Sequence, residues 1–223
     1  MTNDTSSGRI LVTSGPTRAW IDRVRYIANA STGALGASIV RALVEHGYRV
    51  LHIAGRGSEL PDVSVAGSVD TRMIETVGDL VDAVREAAAA GDIRAIVHAM
   101  AVLDYEPERT MDAKRSSNTL SWDLRLVRTP KVTAIMRELM PDARFVGFKL
   151  ETGVSEEELV TRALASLRTH GLDIVVANDL DAVGPERHEA LFVDPTGSVV
   201  ARAGTKPDIA GRIAFIMSER FHL

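Results

Sequence analysis

Short apolar runs alternate with apolar stripes at helical spacing along most of this chain. Residues 10–14 read Ile-Leu-Val-Thr-Ser, a run without two-residue alternation, as expected of a strand buried on both faces. Residues 33–46 carry Leu35, Ile39, Ala42 and Leu43 at helical spacing, and Gly47 offers a C-terminal stop. The same reading predicts strands at 49–54, 95–99, 145–149 and 174–177, and helices at 76–90, 130–139, 155–169 and 206–220. Pro130 stands at a helix-opening position, and Ser155 with Glu158 forms a capping box. Two stretches leave the pattern. Residues 105–118 are a polar loop before an alternating segment, 120–127, with Leu120, Trp122, Leu124 and Leu126 on one side. Residues 191–201 read as a hairpin around Asp194-Pro195-Thr196-Gly197. Strands without two-residue alternation, separated by helices, predict an α/β fold: a Rossmann-like open, mostly parallel sheet with helices on both faces and a small β extension or hairpin.

Composition narrows this picture. A chain of 223 residues, 45% hydrophobic and 25% charged, can bury one substantial core. One domain over 9–223 is expected, after a flexible arm at 1–8. The net charge of -4 and the lack of a basic block argue against nucleic acid as a partner. There is no cysteine, so disulfides, a thiolate nucleophile and sulfur-ligated metals are excluded, and a cytoplasmic location is expected. No apolar run approaches the ~20 residues of a membrane helix, and the N-terminus has no signal-peptide core.

In an open parallel sheet, ligands sit beyond the carboxyl ends of the strands. Those ends are residues 15–17, 98–104, 148–152 and 177–179. After the first, Gly15-Pro16-Thr17 turns into a polar loop with Arg25 and Asn29, and a helix opens on Ser31-Thr32-Gly33-Ala34. A helix N-terminus reached through small residues presents free N–H groups and a positive dipole end, suited to an anion. An ordinary crossover capped by a serine or threonine is the plainer reading.

Together these strand ends resemble the phosphopantothenoylcysteine synthetase (phosphopantothenate–cysteine ligase) family over roughly residues 9 to 218. The matching motifs are Thr13-Ser14-Gly15-Pro16-Thr17-Arg18, Val24-Arg25-Tyr26-Ile27 through Asn29, Ala99-Met100-Ala101-Val102-Leu103-Asp104, Thr129-Pro130-Lys131, Gly147-Phe148-Lys149-Leu150-Glu151 and Ala177-Asn178-Asp179. Within the family the chain looks closest to the free-standing bacterial form, without a decarboxylase domain. The resemblance implies a ligase that joins 4′-phosphopantothenate to L-cysteine in coenzyme A synthesis. It uses CTP, or ATP, with Mg²⁺, passes through an acyl-nucleotide and acts as a homodimer. Residues 104–127 and the 191–201 hairpin are the dimer elements implied.

Site residues follow by the same resemblance. Asn29 contacts the acyl group where charge develops, Arg25 assists the second half-reaction or binds phosphate, and Lys114 lies on a strap over the nucleotide phosphates. Gly15, Thr17, Ser31 and Gly33 belong to the nucleotide site, with Ala99, Met100, Ala101 and Asp104. Pro130, Lys131, Phe148 and Arg168 complete it. No metal-ligand spacing is visible. Each residue also has a structural reading: a loop amide for Asn29, a surface ion pair for Arg25, a connector for Lys114, core packing for Phe148. A reductase using a nicotinamide cofactor ranks low, because Gly15-Pro16-Thr17 is not Gly-x-Gly-x-x-Gly and the second strand ends in Ala54-Gly55-Arg56. A ligase acting on another carboxylate or amine fits the same residues. A non-catalytic relative fits less well, because Arg25, Asn29, Asp104 and Lys114 are all retained.

Overall fold

The computed structural model describes residues 8–62, 67–116, 118, 120–184 and 186–223. In chain order its elements are β1 (Arg9–Ser14), β2 (Arg18–Trp20), β3 (Tyr26–Ala28), α1 (Ala34–Glu45), β4 (Val50–Gly55), β5 (Val69–Ile74), α2 (Val77–Ala90) and β6 (Ile93–His98). They continue as β7 (Tyr105–Pro107), β8 (Leu126–Arg128), α3 (Val132–Leu139), β9 (Arg144–Glu151), α4 (Glu156–His170) and β10 (Ile174–Asp179). A 3₁₀ turn (Leu180–Ala182), β11 (Ala190–Val193), β12 (Val199–Ala203) and α5 (Lys206–Glu219) complete the chain.

Among the described residues, eight strands form one sheet in the order β12-β11-β10-β9-β6-β1-β4-β5. The six strands from β10 to β5 are parallel, and β11 and β12 join antiparallel at one edge. Helices α2, α3 and α4 cover one face with a core around Leu80, Met136 and Phe145; α1 and α5 cover the other around Ile39, Ile213 and Phe192. This is the expected Rossmann-like α/β fold. After β1 the chain builds outward through β4 and β5, then returns to the opposite side of β1 at β6. The order therefore reverses between β1 and β6, and the crevice beyond their carboxyl ends is where such sheets bind ligands.

Most elements lie where periodicity places them, including the expected capping box of α4 (Ser155, Glu158); α2 opens on a second one (Thr76, Asp79) that is not anticipated. The expected 191–201 hairpin forms, and it extends the central sheet. Helix α3 starts at Val132 with Lys131 as N-cap, so Pro130 lies before the helix instead of opening it. Strand β5 is not anticipated because its side chains are exposed or only part-buried until Ile74, leaving little apolar signal. Two further pairs, β2–β3 and β7–β8, are only three residues per strand. The alternating 120–127 segment supplies strand only at its end. Leu120 is fully exposed and Leu126 is 42% exposed. Of the arm expected at 1–8, only Gly8 is among the described residues.

Candidate active site

The turn after β1 is stitched to the segment after β6. Ala101 N–H donates to the Gly15 carbonyl at 2.9 Å, Thr17 N–H to the Ala101 carbonyl at 3.3 Å, and Leu103 N–H to Thr17 Oγ1 at 2.9 Å. Thr129 Oγ1 donates to the Leu103 carbonyl, and Thr129 N–H to that of Asp104. Thr17 is completely buried by these ties. Its hydroxyl holds the neighbouring loop by accepting from Leu103 N–H.

Glycine is required where this turn meets α1. Gly15 (φ 78°) and Gly33 (φ 79°) both face Ser58 from the loop after β4. A Cβ on Gly15 would stand 1.7 Å from Ser58 Oγ, and one on Gly33 would stand 2.7 Å from Ser58 Cβ. Gly33 is itself the N-cap of α1, where a serine or threonine cap is the plainer expectation; Thr32 Oγ1 accepts from Ala34 N–H at 3.3 Å. The first-turn N–H groups of an α-helix have no intrahelical acceptor, and here Leu35 and Gly36 belong to that turn.

Ser31, Gly33, Leu35 and Gly36 form one side of a cleft of about 430 Å³. Ala99, Met100 and Ala101 form its floor, with Phe148, Leu150, Asn178, His188 and Lys206 opposite. Five of the expected nucleotide-site residues thus converge with Phe148. The Met100 side chain is buried in the core, which leaves its backbone to face the cleft. Phe148 is half-buried and packs against the α1–α5 core while also lining the cleft. Asn29 is exposed at the rim, its Nδ2 donating to the Val102 carbonyl at 3.1 Å.

Beneath the turn lies a buried polar layer. Thr13 Oγ1 meets His98 Nδ1 at 2.6 Å, and Ser14 Oγ meets His52 Nε2 at 2.8 Å. Burial pushes both imidazoles down to about 4, so they are neutral near pH 7.

Beside the cleft, the β2–β3 hairpin carries Arg25 at its turn. Asp22, with no exposed surface, receives Val24 N–H and Arg25 N–H on Oδ1 at 2.8 and 2.9 Å. Arg25 Nη1 and Arg115 N–H approach its Oδ2 at 3.2 and 3.3 Å. Burial pushes this carboxyl upward, but the backbone N–H groups of Val24, Arg115 and Arg25, with the Arg25 charge, outweigh it and hold it below the ordinary 3.8. Arg25 and Arg115 also lie over the Trp122 ring, at 5.5 and 4.7 Å.

The remaining expected residues lie outside the cleft lining. Asp104 pairs with Lys131 Nζ at 2.5 Å, both two-thirds exposed, with Pro130 exposed beside them. Lys114 is exposed next to the Arg115 tie. Arg168 is not brought to the site: it is exposed in the last turn of α4, a helix that starts at the strand carboxyl ends and runs ~1.5 Å per residue away from them. Sequence reasoning does not single out Asp22, His188 or Lys206, and names Asn178 only as a strand-end polar residue. A buried aspartate in a loop has no periodic signal, and His188 and Lys206 reach the cleft only because β11 and α5 close that edge.

The profile described as DNA/pantothenate metabolism flavoprotein C-terminal domain matches residues 5–220. The chain is 36% identical over 207 residues to the coenzyme A biosynthesis bifunctional protein CoaBC of Thermococcus kodakarensis, covering 92% of this chain and 49% of that one. It spans about half the length of the curated relatives it matches first. The crystal structure of the DNA/pantothenate metabolism flavoprotein from Streptococcus pneumoniae superposes with a TM-score of 0.84 at 30% identity, covering 96% of this chain and 98% of the other. A Cab2 mutant in complex with phosphopantothenate-cysteine shares the fold, with a TM-score of 0.75 at 18% identity over 97% of this chain and 88% of that one.

Proposed function

This chain belongs to the DNA/pantothenate metabolism flavoprotein C-terminal domain family, and on that premise we propose that it is the ligase that joins 4′-phosphopantothenate to L-cysteine. The observation carrying this reading is the cleft at the β1–β6 switch point. It brings Ser31, Gly33, Ala99, Ala101 and Phe148 around the open first turn of α1, with Asn29 at its rim. That combination suits a phosphorylated, uncharged-base ligand: N–H donors at a positive helix end, a ring for a base, and small residues permitting close approach.

In this reading the substrate carboxylate attacks the α-phosphorus of CTP or ATP. An acyl-nucleotide forms and pyrophosphate leaves. The cysteine amine then attacks the acyl carbon, nucleoside monophosphate departs, and the amine proton is lost to solvent. The second N–H of the Asn29 amide is available for the acyl oxygen where negative charge develops, since Val102 occupies only the first. Arg25 and Lys114 supply positive charge from the hairpin side, and Asp104 with Lys131 flanks the segment leaving the cleft floor. Among the described residues there is no group of three or more His, Cys, Asp or Glu side chains that could hold a metal. In this reading Mg²⁺ would arrive with the nucleotide, held mainly by triphosphate oxygens and water.

The exposed Leu120, Leu126 and Tyr105 on and beside the β7–β8 pair support a homodimer formed through that extension. Among the described residues no helix is long and apolar enough to cross a membrane. The test is incubation with phosphopantothenate, cysteine, Mg²⁺ and either CTP or ATP, following pyrophosphate. Release with one nucleotide and a cysteine-dependent product support the reading. No release with either overturns it, and release without a cysteine-dependent product assigns the chemistry to another amine.

A further inference from the structure

Asp22 joins two parts of the chain that lie 93 residues apart. Its Oδ1 closes its own turn through Val24 and Arg25, an arrangement common to loop aspartates. Its Oδ2 does something else: it accepts from the Arg115 backbone N–H and from Arg25 Nη1, while Arg25 Nη2 donates to the Arg115 carbonyl at 3.4 Å. The backbone of Arg115 is thus held at both its N–H and its C=O. Trp122 adds a platform under both guanidinium groups. Upstream, Thr110 Oγ1 donates to the Trp20 carbonyl and Met111 N–H to that of Ile21. Lys114 is exposed between these two sets of ties.

We propose that Asp22 is a positioning residue: its buried carboxylate clamps the segment bearing Lys114 onto the hairpin bearing Arg25, so that both cations face one polyanionic substrate. The proposal rests on the reading of Lys114 and Arg25 as phosphate-binding groups. A carboxylate is needed here because four donors converge on two oxygens. An asparagine of the same shape accepts on one side only, and its amide would point two hydrogens at the Arg115 N–H and the Arg25 guanidinium. Asp22→Asn therefore breaks either the tie to residue 115 or the local turn, according to which way the amide turns. Arg25 then loses its partner and Lys114 its fixed origin, although neither residue is altered.

The experiment is limited trypsin digestion of the full chain without ligand, with cleavage after Lys114 or Arg115 followed by mass spectrometry. Hydrogen bonds to a charged group lost at the clamp raise the open population, so Asp22→Asn is cleaved there at least about tenfold faster than the parent. Trp122→Leu, which removes the platform and leaves Asp22 in place, is cleaved a few-fold faster, about two- to five-fold. In a Trp20→Phe background, the Trp122 emission of Asp22→Asn moves to the red as the guanidinium groups leave the ring. With nucleotide, the KM rises more than kcat falls, since the chemistry at Asn29 is untouched. Unchanged cleavage in both variants overturns the clamp, and if Asp22→Asn does not fold, Trp122→Leu decides it. A loss confined to kcat with parental cleavage also overturns it. If the parent releases no pyrophosphate, the ligase reading fails, while digestion and emission still judge the clamp.

Discussion

The two walls of the site are held by opposite physics. Around the β1 turn and the start of α1, position comes from close packing: glycines without room for a Cβ, a completely buried Thr17, and neutral histidines under the strand ends. Around the β2–β3 hairpin and residues 104–131, position comes from charge: one buried carboxylate with four donors, two guanidiniums over an indole, and an exposed Asp104–Lys131 pair. Packed walls move little, whereas ionic ties between otherwise exposed segments open at modest cost. A site that, on the proposed ligase reading, admits a triphosphate and then excludes water has use for both, a fixed cradle and an adjustable cover.

Gly15→Val is the sharpest way to break this contrast. It places a branched side chain at φ 78° and drives Cβ into Ser58. A stability loss of about 4 kcal/mol or more is expected, read by urea denaturation, because strain and overpacking add. A loss below about 1 kcal/mol would show that the packed wall yields as easily as the charged one. Asn29→Asp tests the junction between the walls. The rate of ligation falls by about 10²–10³ through loss of the amide donor, with the melting temperature nearly unchanged. If the melting temperature collapses instead, Asn29 is a structural amide.

Acid separates the two walls by where each lets go. His52 is neutral in the fold with a pKa of about 4, against an ordinary 6.5. Between those values the unfolded chain binds the extra proton, so stability falls as pH drops from 6.5 towards 4 and levels off below. The change is on the order of 3 kcal/mol at most, and His98 acts in the same direction. Asp22 is held below 3.8, so its contribution is present above 3.8 and is lost only as pH falls through the lower folded value. Denaturation midpoints measured from pH 7 to 4.5 should fall for the parent and fall less for His52→Gln. Equal slopes would remove His52 from the account. The smallest expected effect is that of Lys131→Ala, which breaks an exposed pair. It costs under about 1 kcal/mol of stability and diminishes further in high salt. A larger, salt-independent loss would mean that this side is packed rather than ionic.

Legibility in the sequence followed the same divide. The apolar strands at 10–14 and 174–177 and the capped helix after Ser155 could be read directly, since burial on both faces and capping leave local patterns. The rule that ligands sit at strand carboxyl ends points to 98–104 and 148–152, while Ser31, Ala99, Ala101 and Phe148 are assigned to the nucleotide site by resemblance. The hairpin side could be named only by resemblance, and its organiser, Asp22, carried no periodic signal. Arg168 lies outside the cleft lining, since a helix face read from one sequence does not say which end of the helix reaches the strand carboxyl ends.

By itself the sequence determined the layered α/β architecture, the order of most elements and the residues available at each strand end, because hydrophobic period and capping are encoded over a few neighbouring residues. Tertiary structure alone decided that Thr17 is a buried tie, that His188 and Lys206 close the far side of the cleft, and that Asp22 holds residue 115. Those facts depend on hydrogen bonds and contacts between segments tens of residues apart. No local pattern carries such information, since which distant donor meets a carboxylate is settled only when the sheet order places the two loops side by side.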